Sequence, residues 1–174
     1  MALLTRSYNR RLAVSYANRW AYFRNPEFYD FSDVGGDCTN FTSQCLLAGG
    51  AVMNYTPTFG WYYITSDDRT ASWSGVEYLY NFLTQNEGVG PFASETAIEL
   101  ARPGDLIQLV IGEEQSYHHT IIITDIRGFI PGRNNIYVAA HSYDCACRPL
   151  SSYDIKQIRV LHIDGIRYET NSVD

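Results

Sequence analysis

The chain has 174 residues, of which 45% are apolar or aromatic and only 18% charged, with a formal charge of -6 and an isoelectric point near 5.1. A chain of this length can bury a core without disulfides or metal, and one carrying fourteen Tyr, eight Phe and three Trp is neither disordered nor a solvated coiled coil. The acidic balance, with no basic stripe, argues against nucleic acid and anionic membrane surfaces as partners, and no apolar run is long enough to cross a bilayer.

The opening "MALLTRSYNRR" reaches charge too soon to hold the apolar region of a signal peptide. The expected location is therefore the cytoplasm, or the cell wall after release by lysis or a phage route. Residues 7–24 place Tyr8, Leu12, Tyr16, Trp20 and Phe23 at helical spacing before Asn25-Pro26, which predicts a long amphipathic helix with an aromatic, core-facing stripe. A polar, aromatic loop leads to "GGDCTNF" at 35–41. From Cys38 a second helix is expected, with Asp37 as its cap, Phe41, Cys45 and Leu46 on its apolar side, and Gly49-Gly50 as its stop. Residues 51–72 read as irregular. "SWSGVEYLYNFLTQNEG" restores helical periodicity through Val76, Leu79, Tyr80 and Leu83.

After Gly90-Pro91 the pattern changes to strands at 103–111, 118–126, 135–142 and 157–163. Helices followed by an antiparallel sheet predict an α+β fold, and the absence of repeats or a flexible linker predicts one domain over 1–174.

One position in this layout invites chemistry. A cysteine attacks as its thiolate, and the positive end of a helix favours that charge. Gly35 and Gly36 let the chain pass close to Cys38, and the nearby amides suit an oxyanion. A base is still required. His118 and His119 open one strand and His141 closes the next, so an antiparallel hairpin brings one of the pair and His141 to the same end of the sheet. Alternation lets only one of His118 and His119 face the cysteine.

The stretches "NRRLAVSYANRWAYFRNPEFYDFSDVGGDCTNFTSQCLLAGG", "WYYITSDDRTASWSGVEYLYNFL", "PGDLIQL", "HHTIIITDI" and "YVAAHSYD", found in that order across nearly the whole chain, resemble the putative amidase domain family. That family is grouped with papain-like cysteine hydrolases, near the NlpC-type and CHAP domains that cut peptide or amide bonds of bacterial cell walls. The resemblance implies a papain-like α+β fold, Cys38 as nucleophile, His119 as base and His141 as the third member. It also implies amide hydrolysis through a thioester, with peptidoglycan stem peptide as the expected partner and no cofactor. The papain glutamine of the oxyanion hole has no counterpart in "FSDVGGD".

Asp144 competes with His141 for the orienting role, and Asp37 is placed to tune the thiol or position an amine. His162 reads as structural and Cys45 as a buried, inert thiol. Trp61, Tyr62 and Trp73 are candidates for the walls of a substrate groove, since aromatic faces stack on peptides and sugars. "HSYDCAC" raises zinc as an alternative, with His141, Cys145, Cys147 and His118 or His119 as ligands, although Cys-x-Cys alone matches no common zinc framework. Otherwise the two thiols are expected in an exposed loop. A domain that binds peptides without cleaving them is the other alternative.

Overall fold

The computed structural model describes residues 1–170, so the last four residues of the expected 1–174 domain lie outside the described residues. The chain runs β1 (Ala2–Arg6), α1 (Arg10–Trp20), α2 (Cys38–Ala48), α3 (Ala71–Ser74), α4 (Val76–Gln85), β2 (Gly90–Thr96), β3 (Leu106–Ile111), β4 (His119–Ile126), β5 (Ile136–Ala140), β6 (Cys145–Pro149) and β7 (Ile155–Thr170). Two short 3-10 turns, Ile98–Leu100 and Leu150–Ser152, lie between strands. The strands form one antiparallel, seven-stranded sheet, and the fold is α+β as expected.

The long β7 organises this sheet. Val160 and Leu161 pair with β3 on one side and β2 on the other, while Ile166 pairs with both Pro91 of β2 and Arg6 of β1. One edge of β7 therefore carries β2, and the other carries β3 and β1 end to end. Beyond β3 the order continues through β4 and β5 to β6.

Both faces of the sheet are covered, which is why β3 and β4 are nearly continuous apolar runs. Leu106, Ile122, Ala139, Leu161 and Ile163 pack with Phe41, Leu46, Leu79 and Leu83 on the helical side. Residues of the other parity, including Ile107, Leu109, Ile121, Ile123, Val138 and Val160, pack with Ala101 and Leu150 on the far side. No helix among the described residues is long and apolar enough to cross a membrane.

The first helix departs from expectation. Asn9 caps it by accepting the Leu12 N–H at 3.1 Å, and its buried face is Ala13 and Ala17, followed by Ala21. Leu12 and Phe23 are exposed, while Tyr16 and Trp20 flank the contact only partly buried. Small residues let α1 lie close to its neighbours, so apart from Tyr8, which is buried in the core just before α1, the aromatic stripe is a border and not the contact. The predicted helix after residue 70 is broken at Gly75 into α3 and α4, with Leu79 and Leu83 facing the core.

Candidate active site around Cys38

The second helix is buried from Cys38 to Leu46, polar residues included, and its N-terminus abuts the start of β4. Gly35 and Gly36 approach it with φ of 84° and 100°, in the left-handed region that favours glycine. At Gly36 a Cβ would stand 3.4 Å from Ser142 Oγ, and that hydroxyl accepts the Asp37 N–H at 3.0 Å. The turn after β5 thus holds the backbone that delivers Cys38.

Asp37 occupies the cap position but its carboxylate does not cap the helix. Fully buried, it accepts the Phe31 N–H and the Asn40 Nδ2 at 2.8 Å each and meets His141 Nδ1 at 2.5 Å. The carboxylate has turned from the helix amides to fasten the 31–37 loop. His141 also corrects expectation. Its Nε2 lies 2.9 Å from the Trp20 carbonyl and its ring stacks on Phe41 at 4.0 Å, so both ring nitrogens are engaged below α2 and neither bonds to His119. Asp144 does not orient a histidine base either, because Arg24 grips both of its oxygens at 2.9 and 3.1 Å.

Cys38 is 7% exposed, with its sulfur 3.8 Å from Thr39 Oγ1 and 4.0 Å from the His118 carbonyl oxygen. Burial pushes the Cys38 thiol up, against the lowering pull of the Thr120 amide and the Thr39 hydroxyl and amide. The sulfur therefore lies among the peptide groups on either side of His119. Burial here works against the ionised state that the helix end alone would favour.

His119 is 5% exposed, and its ring lies 5.9 Å from that of Tyr153. Burial, aided by His118 and Arg148, drives its pKa down to about 4. No hydrogen bond engages the His119 ring among the described residues, whereas His118 Nδ1 is 3.1 Å from the Ser116 carbonyl. The structure thus brings the Cys38 sulfur to the backbone on either side of His119, while the His119 ring shares the parity of Ile121 and Ile123 and stands beside Tyr153 on the far face of the sheet.

A polar chain missed from sequence runs from the surface to this point. Glu77 pairs with Arg159 Nη2 at 2.8 Å, Arg159 donates to Gln108 Oε1, and Gln108 Nε2 donates to Thr120 Oγ1 at 3.2 Å. Thr120 Oγ1 meets Thr39 Oγ1 at 3.0 Å, beside the sulfur. Its only signal in the sequence is a Gln in the middle of the apolar run "LIQLVI".

The remaining candidates fall elsewhere. Trp61 and Trp73 are fully buried and line no groove: their indole N–H groups donate to Ser43 Oγ at 3.1 Å and Asn40 Oδ1 at 2.8 Å, pinning residues 61–73 onto α2. Tyr62 is partly exposed and bonds Asp68. All four cysteines are free thiols. Cys45 is fully buried, and its pKa is pushed well up by burial. Cys145 and Cys147 lie in β6, not in a loop; the first is buried 3.6 Å from the Tyr153 hydroxyl, the second exposed and 3.2 Å from Arg127 Nη2. They do not converge with a histidine, and no group of three or more His, Cys, Asp or Glu among the described residues is placed to hold a metal ion. His162 is structural, paired with the buried Asp105 at 3.0 Å, which also binds Arg10 and fastens α1 to the sheet.

The features assembled here, a cysteine heading a buried helix against the start of a histidine-bearing strand, come with a family assignment. Residues 7–163 match the family model described as the putative amidase domain, and the chain belongs to that family, whose description points to hydrolysis of an amide bond. The uncharacterized protein YhbB of Bacillus subtilis (strain 168) is 34% identical over 151 residues. That match takes in 84% of this chain and 45% of the length of YhbB, so the chain spans about half of that relative. No solved structure matches.

Proposed function

We propose that the protein is a cysteine hydrolase of amide or peptide bonds, with Cys38 as nucleophile and His119 as general base, built on a papain-like plan. The observation that carries this reading is the Cys38 sulfur lying against the peptide groups that flank His119. The thiol proton passes to the His119 imidazole, once that ring has turned from its place beside Tyr153 to the edge of β4, as sulfur adds to the substrate carbonyl carbon. The tetrahedral oxyanion is met by the Cys38 N–H, a first-turn amide with no acceptor inside the helix. Collapse expels the amine, which takes the proton from His119, and leaves a thioester that water hydrolyses with His119 again as base.

An imidazole at about pKa 4 is unprotonated at neutral pH and can accept the proton, as a weaker base than one poised near 7. The third role expected of His141 goes instead to holding Asp37 and so the backbone before Cys38. Peptidoglycan stem-peptide links are the proposed substrate, in keeping with the resemblance to NlpC-type and CHAP domains.

The test is turnover of purified cell-wall fragments with mass-spectrometric trapping of a thioester on Cys38. Cys38→Ala and Cys38→Ser are expected to lose hydrolysis while keeping the unfolding midpoint, and His119→Gln to lose it where His118→Gln does not. Full activity in Cys38→Ala would end the proposal.

A further inference from the structure

A cavity of about 540 Å³ opens between α4 and the loop before Trp61, away from Cys38. Tyr78, Asn81, Phe82 and Gln85 line one wall, spaced three and four residues apart so that all share one face of α4. Phe59 faces them from the loop, and Glu87 stands at the end of the helix wall. Asn81, Gln85 and the Tyr78 hydroxyl make no side-chain hydrogen bond among the described residues, and no lysine or arginine contributes to the lining.

The presentation of Phe59 needs explaining. Its side chain is 82% exposed and that of Tyr78 63%, although large apolar rings gain by burial. Thr58 before it has φ of 66°, a strained value for a β-branched residue. The loop is closed by the Gly60 N–H on the Thr56 carbonyl at 2.8 Å and the Thr56 N–H on Asn54 Oδ1 at 3.0 Å. Only glycine fits at position 60, where a Cβ would lie 2.1 Å from the Asn54 carbonyl oxygen. Backbone strain and a tight turn thus hold an aromatic ring in water.

We infer that this cleft binds a neutral oligosaccharide of N-acetylated amino sugars. Aromatic rings on opposite walls offer flat faces to the apolar side of a pyranose. Carboxamides donate and accept at once, as sugar hydroxyls and acetamido groups do, while the absence of cations disfavours phosphate and acidic ligands. Phe82, nearly buried at the base, offers apolar contact to an acetyl methyl. The wall of a helix has no free backbone edge for an extended peptide to join, which favours a sugar over a peptide. Gly60 is followed by Trp61, bonded to Ser43, and Ser43 is five residues from Cys38 along α2, about 7.5 Å of helix axis. The cleft is thus tied through Trp61 to the helix that carries Cys38. Its purpose, holding the glycan of a cell-wall fragment while an attached peptide is cut, rests on the hydrolase reading; its binding does not.

The experiment titrates Cys38→Ala protein with a β-1,4-linked N-acetylglucosamine tetramer by calorimetry, beside the same protein carrying Phe59→Ala or the pair Asn81→Ala and Gln85→Ala. Saturable binding is expected, weakened about tenfold by Phe59→Ala with an unchanged unfolding midpoint. No saturable binding, equal binding by Phe59→Ala, equal binding of a glucose tetramer, or displacement by a sugar-free stem peptide would each overturn it. Hydrolysis of a sugar-free peptide amide by the wild type is measured separately. Hydrolysis without glycan binding sinks this inference alone, and glycan binding without hydrolysis sinks only the catalytic reading.

Discussion

His119→Gln should change how stability depends on pH, and the structure sets the size of the effect. The imidazole is buried, with no hydrogen-bond partner among the described residues, and burial, with His118 and Arg148 adding to it, lowers its pKa from 6.5 to about 4. Above pH 6.5 the ring is neutral in both folded and unfolded chains, and its full contribution is present. As pH falls below 6.5, the unfolded chain takes a proton that the folded one refuses, and stability is lost until pH passes the folded value near 4. At 1.36 kcal/mol per pH unit, the interval amounts to about 3 kcal/mol. Urea unfolding of wild type and His119→Gln at a series of pH values between 7.5 and 3.5 reads this directly. Carboxylates titrate in both proteins and cancel in the difference, so the wild type should lose about 3 kcal/mol more than the variant. Parallel curves would refute the reasoning. A thiolate–imidazolium pair with Cys38 would raise the folded value instead, and the wild type would then gain on the variant as the solution was acidified.

The same ring sets the acid limb of kcat/KM for amide hydrolysis, which should fall near pH 4 and not near 6.5, measured on any substrate that supports turnover. Iodoacetamide at neutral pH should label exposed Cys147 first and Cys38 slowly, with Cys45 untouched, and raising the pH should speed Cys38; peptide mass mapping follows the order. His141→Ala removes the buried partner of Asp37 and should destabilise the fold by about 3 kcal/mol or more in denaturant unfolding, with the double variant carrying Asp37→Asn losing less than the sum. Trp73→Ala opens a cavity beside Trp61 and strands Asn40, for an expected loss of about 3–5 kcal/mol by the same measurement.

What sequence patterning reveals is what depends on near neighbours. α2, β3 and β4 were legible because their apolar residues are contiguous or at helical spacing, and Cys38 because glycines and a helix start surround it. β1 was missed because all five of its side chains are exposed, so "ALLTR" carries no alternation that marks one face. β2 opens on Gly-Pro, which ordinarily ends an element, and β6 is a five-residue edge strand closing on a proline. Asp37 looked like a cap because helix starts favour aspartate; its true partner is 104 residues away. Trp61 and Trp73 looked like groove walls because their loop lacks periodicity, yet the buried polar residues of α2 supply the acceptors their indoles need inside. Phe59, within that same loop, was passed over because nothing local marks a ring as facing water.

The arrangement of β7 bears on how the chain comes to be folded at all. β1 and β2 pair only with β7, the sixteen-residue strand that follows every other strand of this sheet in chain order. Such pairing closes the longest possible loops and is slow to nucleate. During synthesis β3 to β6 can pair with one another before β7 is made, whereas a chain halted before residue 155 leaves β1 and β2 without a partner strand.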